Sequence, residues 1–219
     1  KLVIPTDKIE SLRTFSFNAI EWNGIGLFKV AFFVFNEYHL LEQFKINNDM
    51  FFTFLYRLRE CYNDIPYHNW IHAIDVLQLY SQQMKVSHFD KNLTGLELLA
   101  ICIAAISHDV GHQGYDNEFH IKAKTPFGIM YKKQKSVTEL AHCSKLINII
   151  NNGNAVNDGS ENHGCNLFHS ISDGDQMKIW SWIIEMILST DISNHEKILR
   201  NVINVMNEGP INLSNEKHR

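Results

Sequence analysis

The chain has 219 residues, 45% of them apolar, and a formal net charge of -4, which is enough apolar side chain to build one buried core. Without a basic surplus there is no long-range positive field, which argues against nucleic acid or an anionic membrane surface as a partner. Four cysteines with no C-x-x-C pair, no charged-then-apolar leader and no apolar run of spanning length point to a cytoplasmic protein with reduced thiols and no membrane segment in this chain.

Only four prolines, many 3.6-period apolar patterns and almost no alternating stretches predict an all-α chain. Gly26 to Leu41, rich in Phe, Val and Leu, and Asp49 to Cys61, with Phe51, Phe52, Phe54, Leu55 and Leu58, read as core helices. Pro66 interrupts the pattern. It resumes through Ile74, Leu77, Tyr80 and Met84, so His68 and His72 are expected at i and i+4 on one helix face. Either Asn92 or Thr94 is placed to cap the next helix, Leu96 to Ile106, which is apolar almost all round and ends at Ser107-His108-Asp109. A polar turn with Gly111, Gly114, Asp116 and Asn117 follows, then a helix from Val137 to Ile150. The run from Asn151 to Gly164, NNGNAVNDGSENHG, reads as a polar surface loop or disordered insertion. Two last helices are expected, Asp175 to Ser189 and an amphipathic piece from His195 to Met206. Nothing marks a second domain.

Chemistry concentrates in three groups: His68 with His72, His108-Asp109 with His112, and Glu139 with His142. Imidazole and carboxylate donors suit Zn, Mn or Fe, and a shared carboxylate can bridge two cations about 3.5–4 Å apart, an arrangement that activates water against a phosphodiester. Any one of these histidines is explained equally well as a hydrogen-bonded core or surface residue. The His-Asp pair is harder to explain that way, because an ionised Asp at a buried helix C-terminus meets the negative end of the dipole and needs a cation nearby.

HNWIHA at His68 to Ala73 and HDVGHQGYDNEF at His108 to Phe119 resemble the two hallmark motifs of class I cyclic-nucleotide phosphodiesterases, H-N-x-x-H-A and H-D-x-x-H-x-G-x-x-N-x-F. SVTELAHCS at Ser136 resembles the family's S-V-L-E-N-H-H, CNLF at Cys165 its C-N-I-F, and ILSTDISNH at Ile187 its I-L-A-T-D-M-S-K-H. The resemblance covers roughly residues 50 to 219. It implies a compact helical bundle of the HD/phosphodiesterase type and hydrolysis of 3',5'-cyclic nucleotides, cyclic AMP or cyclic GMP, to nucleoside 5'-monophosphates. The cofactors it implies are two divalent metals, Zn2+ and Mg2+ or Mn2+, with a hydroxide bridging them.

Residue by residue, the resemblance makes His72, His108 and Asp109 ligands of the first metal, Asp109 also a ligand of the second, and His68 the general acid. It makes His112, Glu139 and Thr190 partners of metal-bound water, and sets Tyr67, Asn69, Asn117, Asp191 and Ile192 in or beside the substrate pocket. For Asn117, a polar cap on the turn after the metal helix stands as the competing reading.

The chain departs from the pattern at Leu140 and Ala141, where the family has Asn and His, and a rival Glu161-Asn162-His163 lies in the polar run. Glu139 is preferred because Ser136-Val137 precedes it and Cys165 to Phe168 resumes the family order. The family's fourth ligand, an Asp in A-D-[LI]-S-N, has no counterpart. Asn212 to Asn215 resembles it only superficially, and INLSNEKHR better resembles the start of the preceding helix, N-x-x-D-R. The expectation is therefore a partial catalytic domain over residues 1–219, incomplete at its C-terminus and weak or inactive alone, with the purine-binding glutamine beyond Arg219 and regulatory domains possible upstream. The competing readings are another HD-type metal phosphohydrolase and a catalytically silent regulatory module.

Overall fold

A computed structural model describes residues 4–131, 134–151, 165–210 and 212. Its described residues form eleven α-helices and short 3-10 turns, with no strand among them. The polar run beyond Asn151, including Glu161 and His163, and the tail from residue 213 lie outside the described residues, so the expected insertion and the INLSNEKHR resemblance are not described; Asn151 itself ends a helix.

Helix α1 spans Thr6–Leu12, and α2 spans Ile25–Glu37. The single helix expected to reach Leu41 is broken at His39, which takes a left-handed conformation (φ 54°) and starts the short α3, Leu40–Gln43. α4, Asn48–Cys61, begins where the Asn47 side chain accepts from Met50 N. α5, Trp70–Val86, begins where the Asn69 side chain accepts from Ile71 N and His72 N. A side-chain oxygen at these positions satisfies amide hydrogens that the first helical turn leaves unbonded.

α6, Gly95–Ser107, settles the capping question in favour of Thr94. Thr94 Oγ1 accepts from Glu97 N and the Glu97 carboxylate accepts from Thr94 N, a reciprocal capping box; Asn92 instead closes a 3-10 turn. Leu99, Ala100, Ile103 and Ile106 have no solvent exposure, and α6 packs against α5 and α10. Phe32, Phe35, Phe51 and Phe52 from α2 and α4 pack ring to ring beside it, Phe35 and Phe51 at 4.7 Å between centroids. α6 is thus the central rod, and its end is held by Tyr62 Oη donating to Ile106 O at 2.9 Å.

Three helices were not expected from the sequence: α1; α7, Asn117–Lys122, capped by Asp116; and α8, Pro126–Met130, capped by Thr125 with proline in its first turn. α9, Val137–Asn151, and α10, Asp173–Ser189, follow, the latter capped by Ser172. α11, His195–Glu208, buries none of its residues and exposes Leu199, Val202, Ile203 and Met206. No helix among the described residues is long and apolar enough to cross a membrane.

Because α6 carries His108 and Asp109 at its end, its start matters to the whole. Thr94→Ala removes the capping box and is expected to cost about 1 kcal/mol of stability, while Thr94→Ser retains most of it. Urea unfolding of the three proteins measures this; equal midpoints would show that the box contributes nothing.

Candidate metal centre

The α5 entry corrects the expected helical pairing of His68 and His72. Asn69 is the cap, so His68 lies before the helix and only His72 is helical, in the third position of the first turn. The approach is held by Asn69 Nδ2 donating to Ile65 O and Asn69 N donating to Tyr67 O, both at 2.8 Å. This non-helical backbone lets the His68 ring turn across to stack on His112, 4.1 Å between centroids, while remaining 5.8 Å from the His72 ring.

At the far end of α6, His108 is the helix C-cap and Asp109 follows, only 8% exposed. The Asp109 Oδ2 oxygen stands 3.0 Å from His108 Nε2 and 3.4 Å from His72 Nε2. Neither contact has hydrogen-bond alignment, so the buried Oδ2 has no partner. A carboxylate oxygen orphaned between two imidazole nitrogens costs free energy unless a cation or proton fills the space.

Backbone partners decide which ring nitrogens carry protons. His108 Nδ1 lies 2.9 Å from Ala105 O and His142 Nδ1 2.8 Å from Val110 O; a carbonyl only accepts, so both Nδ1 atoms donate and each neutral ring presents its Nε2 lone pair. That is the arrangement commonly found behind metal-binding histidines. His112 is the reverse. Its Nδ1 accepts from Gly114 N at 2.9 Å, which puts the hydrogen on Nε2 of the neutral ring. Gly114 makes this turn at φ 84°, where a side chain would be strained.

Among the described residues, two groups of donor atoms each lie within 4.8 Å of one another: His72, His108 and Asp109, and His68, Asp109 and His112. The first fits a divalent cation well, with a free lone pair on His108 and the orphaned oxygen of Asp109. In the second, the tautomer of His112 suits it better to donate a hydrogen bond than to ligate.

The electrostatics agree with a cation site. Burial opposes the charge on Asp109, yet the imidazoles of His108 and His72 hold its carboxyl far below the usual range. Burial likewise opposes protonation of His108, but Asp109 outweighs it and raises that ring. His68 and His112 are lowered, first by burial, with Asp109 opposing in both and His68 adding to the lowering of His112. Burial brings His142 down to about 4, and its Nε2 stands 3.8 Å from Asp109 Oδ1.

Glu139 lies in the first turn of α9 and is 9% exposed. Asn117 reaches it from α7: Asn117 Nδ2 donates to Glu139 Oε2 at 2.9 Å, while Asn117 Oδ1 accepts from Thr138 N at 2.7 Å. Asn117 therefore acts as a cap, as one reading of the sequence had it, but of α9 rather than of its own turn.

Of the remaining expected residues, Thr190 Oγ1 donates to Ile187 O in its own helix at 2.8 Å, and Ile192 is 84% exposed. Asp191 is buried and takes Ser136 Oγ at 2.6 Å and Ser193 N at 2.9 Å, joining the end of α10 to the start of α9. A cleft of about 1290 Å³ gathers His68, His72, His108, Asp109, His112, Asn117, Glu139, Thr190, Asp191 and Ile192 along its walls. Tyr67 and Asn69 are not in that lining: Asn69 is spent on the helix cap, and Tyr67 is 63% exposed, its ring 4.7 Å from that of His72. Thr138 and His142 line the cleft too; the sequence reading gave Thr138 no role and grouped His142 with Glu139 without assigning it one.

His142 should be visible in the acid stability of the metal-free protein. Its folded ring resists protonation, so an unfolded chain, whose histidine titrates near 6.5, binds the proton first. The stability it contributes is full above that value and is lost as pH falls toward about 4. Between pH 7 and 5, urea unfolding of chelator-treated protein should lose about 2 kcal/mol more than the same measurement on His142→Gln. Parallel losses would assign the acid limb to another group.

Residues 67–219 match the family described as 3'5'-cyclic nucleotide phosphodiesterase. The chain is 26% identical over 217 residues to a cGMP-specific 3',5'-cyclic phosphodiesterase of Drosophila melanogaster, covering 99% of this chain and 18% of that protein. It is 26% identical over 209 residues to the protein of the same description from Drosophila ananassae, covering 95% and 17%. The solved phosphodiesterase domain of the RhoPDE fusion protein from the choanoflagellate Salpingoeca rosetta superposes with a TM-score of 0.83 at 32% identity, over 96% of this chain and 64% of that one. The chain thus spans less than a fifth of the curated relatives and under two-thirds of the solved domain. With the family match extending over the histidine-aspartate centre and every helix from α5 onward, the chain belongs to the 3'5'-cyclic nucleotide phosphodiesterase family.

Proposed function

We propose that these residues form the metal-binding part of a catalytic domain that hydrolyses 3',5'-cyclic nucleotides to nucleoside 5'-monophosphates. The observation that carries the proposal is the orphaned Oδ2 of Asp109 between His72 and His108, at the mouth of a cleft large enough for a nucleotide. Cyclic GMP is the first substrate to try, because the curated relatives are described as cGMP-specific. That the residues belong to a larger catalytic domain is supported by the 64% share of the solved domain that they cover.

His72, His108 and Asp109 would hold the first cation, with zinc favoured by the imidazole donors, and Asp109 would reach a second, magnesium or manganese. When bound, the cations supply Lewis-acid stabilisation of charge on the phosphoryl oxygens and a water acidic enough to act as nucleophile. His108 is kept in its ligating tautomer by Ala105 O. His112 presents Nε2–H to an anionic oxygen in the cleft. Glu139 and Thr190 lie where they can orient water, Glu139 by its carboxylate and Thr190 by the lone pairs its bond to Ile187 O leaves free.

His68 is placed to donate a proton. Hydrolysis adds water across the P–O3' bond: an oxygen from water joins phosphorus, the bond to O3' breaks, and O3' takes a proton. His68 is only half-buried, lines the cleft and is not needed to complete the first cation's ligand set. Burial lowers its proton affinity, and an anionic phosphate beside it would raise that affinity toward the working pH of a general acid.

A silent regulatory module is the second reading, favoured by Leu140 and Ala141, which stand beside Glu139 where the family pattern has Asn and His. Metal analysis and hydrolysis of cyclic GMP and cyclic AMP by the full-length protein separate the two. His72→Ala is expected to lose bound zinc and activity together, whereas His68→Asn should keep the zinc and lose at least about 100-fold in kcat. Retained zinc and turnover in His72→Ala would overturn the site, and wild-type protein that binds zinc yet hydrolyses neither nucleotide would establish the silent reading.

A further inference from the structure

Glu139 is held by a small network that its family pattern does not contain. Where the pattern reads L-E-N, this chain reads Thr138-Glu139-Leu140, so the polar and apolar neighbours of the glutamate have exchanged sides. The polar one is now Thr138, in the first turn of α9 and only 6% exposed.

Thr138 Oγ1 lies 2.7 Å from Asn117 Oδ1 and 3.1 Å from Glu139 Oε2. A hydroxyl has one proton, and two oxygens 2.7 Å apart need one between them, so the proton goes to Asn117. Asn117 Oδ1 then accepts twice, from the hydroxyl and from Thr138 N. Two donors on that oxygen fix the amide, and its Nδ2 is left with one direction, onto Glu139 Oε2 at 2.9 Å. With the Thr138 proton spent on Asn117, the hydrogen bond that Glu139 keeps among the described side chains is the one from Asn117 Nδ2 to Oε2, so Oε1 is the oxygen free for the cleft.

We propose that Thr138 is a positioning residue: through Asn117 it fixes the Glu139 carboxylate with Oε1 toward the metal centre, where it orients water on the second cation. The proposal rests on the reading of the cleft as a two-cation site. It departs from the family pattern, whose leucine at this position offers no hydroxyl.

The test is Thr138→Val in the full-length protein, an isosteric change that keeps the backbone N–H on Asn117 and so leaves the start of α9 capped. With the zinc site filled, calorimetric Mn2+ titration reads the second cation, alongside zinc content, thermal midpoint, kcat and KM. Thr138→Val is expected to weaken Mn2+ binding about tenfold, the low end of what losing an outer hydrogen-bond partner costs a metal site. Zinc content should be unchanged and kcat should fall more than KM moves. Thr138→Ser restores the hydroxyl and should bring Mn2+ affinity back to within about twofold. Wild-type Mn2+ affinity in Thr138→Val, or equal weakening in the Ser and Val variants, would overturn the proposal. The reading it rests on fails separately, by absence of nucleotide hydrolysis in the wild type, and a wild type that takes up no Mn2+ would sink both.

Discussion

A buried carboxylate placed at the wrong end of a helix dipole organises this molecule. α6 has an apolar surface nearly all round and is enclosed by α5 and α10, so its C-terminal carbonyls and Asp109 project into a poorly hydrated space. Negative charge there is disfavoured by desolvation and by the helix dipole together. The surroundings answer with imidazoles rather than with lysine or arginine: His72, His108 and His142 all approach Asp109 within 3.8 Å. A lysine would neutralise the site permanently. Imidazoles with free lone pairs leave room for a metal cation and would gain from its presence, so the geometry that gives Asp109 Oδ2 no hydrogen-bond partner also suits it to ligation.

The walls around that carboxylate are joined at one place, the start of α9. Ser136 bonds Asp191 at the end of α10, and Thr138 and Glu139 bond Asn117 at the start of α7. Three helices therefore meet through side chains at the edge of the cleft. Short charge-assisted hydrogen bonds across such a junction restrict relative movement more than apolar packing of equal area, because they have direction. The stacked rings of His68 and His112 close the opposite side, positioned by a non-helical approach and a glycine turn.

What the sequence made legible follows from the strength of the local signal. α4, α5, α6, α9, α10 and α11 are long and periodic, and their apolar patterns end near the observed bounds; Thr94, the cap of α6, is one of two candidates in the sequence, without its reciprocal bond to Glu97. α7 and α8 have six and five residues, less than two turns each, and their apolar side chains Phe119, Ile121, Ile129 and Met130 are substantially exposed, so no periodicity betrays them. The i, i+4 reading of His68 and His72 failed because spacing alone does not say where a helix starts; Asn69, a strong capping residue between them, was the overlooked cue. His142 was visible by its spacing from Glu139, but its orientation depends on Val110 O, thirty-two residues away in sequence, a relation no local pattern encodes.

The centre also shows how one residue type takes several roles without a change of chemistry. His108 is largely buried, and Asp109 raises its proton affinity despite that burial. His142, more deeply buried and farther from the carboxylate, goes the other way, to about 4. His68 and His112, partly open to the cleft, are lowered by burial, and each adds positive repulsion against the other when protonated. Two stacked rings 4.1 Å apart cannot both be protonated cheaply, so the pair takes one proton at most, and burial disfavours even that one unless an anion arrives beside it. An incoming phosphate would meet that condition, offering oxygen acceptors to both rings at once. The proton would then settle on the ring whose other nitrogen can tolerate it. His112 cannot take a hydrogen at Nδ1 without losing its bond from Gly114 N, whereas His68 has no such bond to lose among the described residues. The asymmetry that would make His68 the proton donor of the proposed reaction is therefore set by a backbone amide on its neighbour.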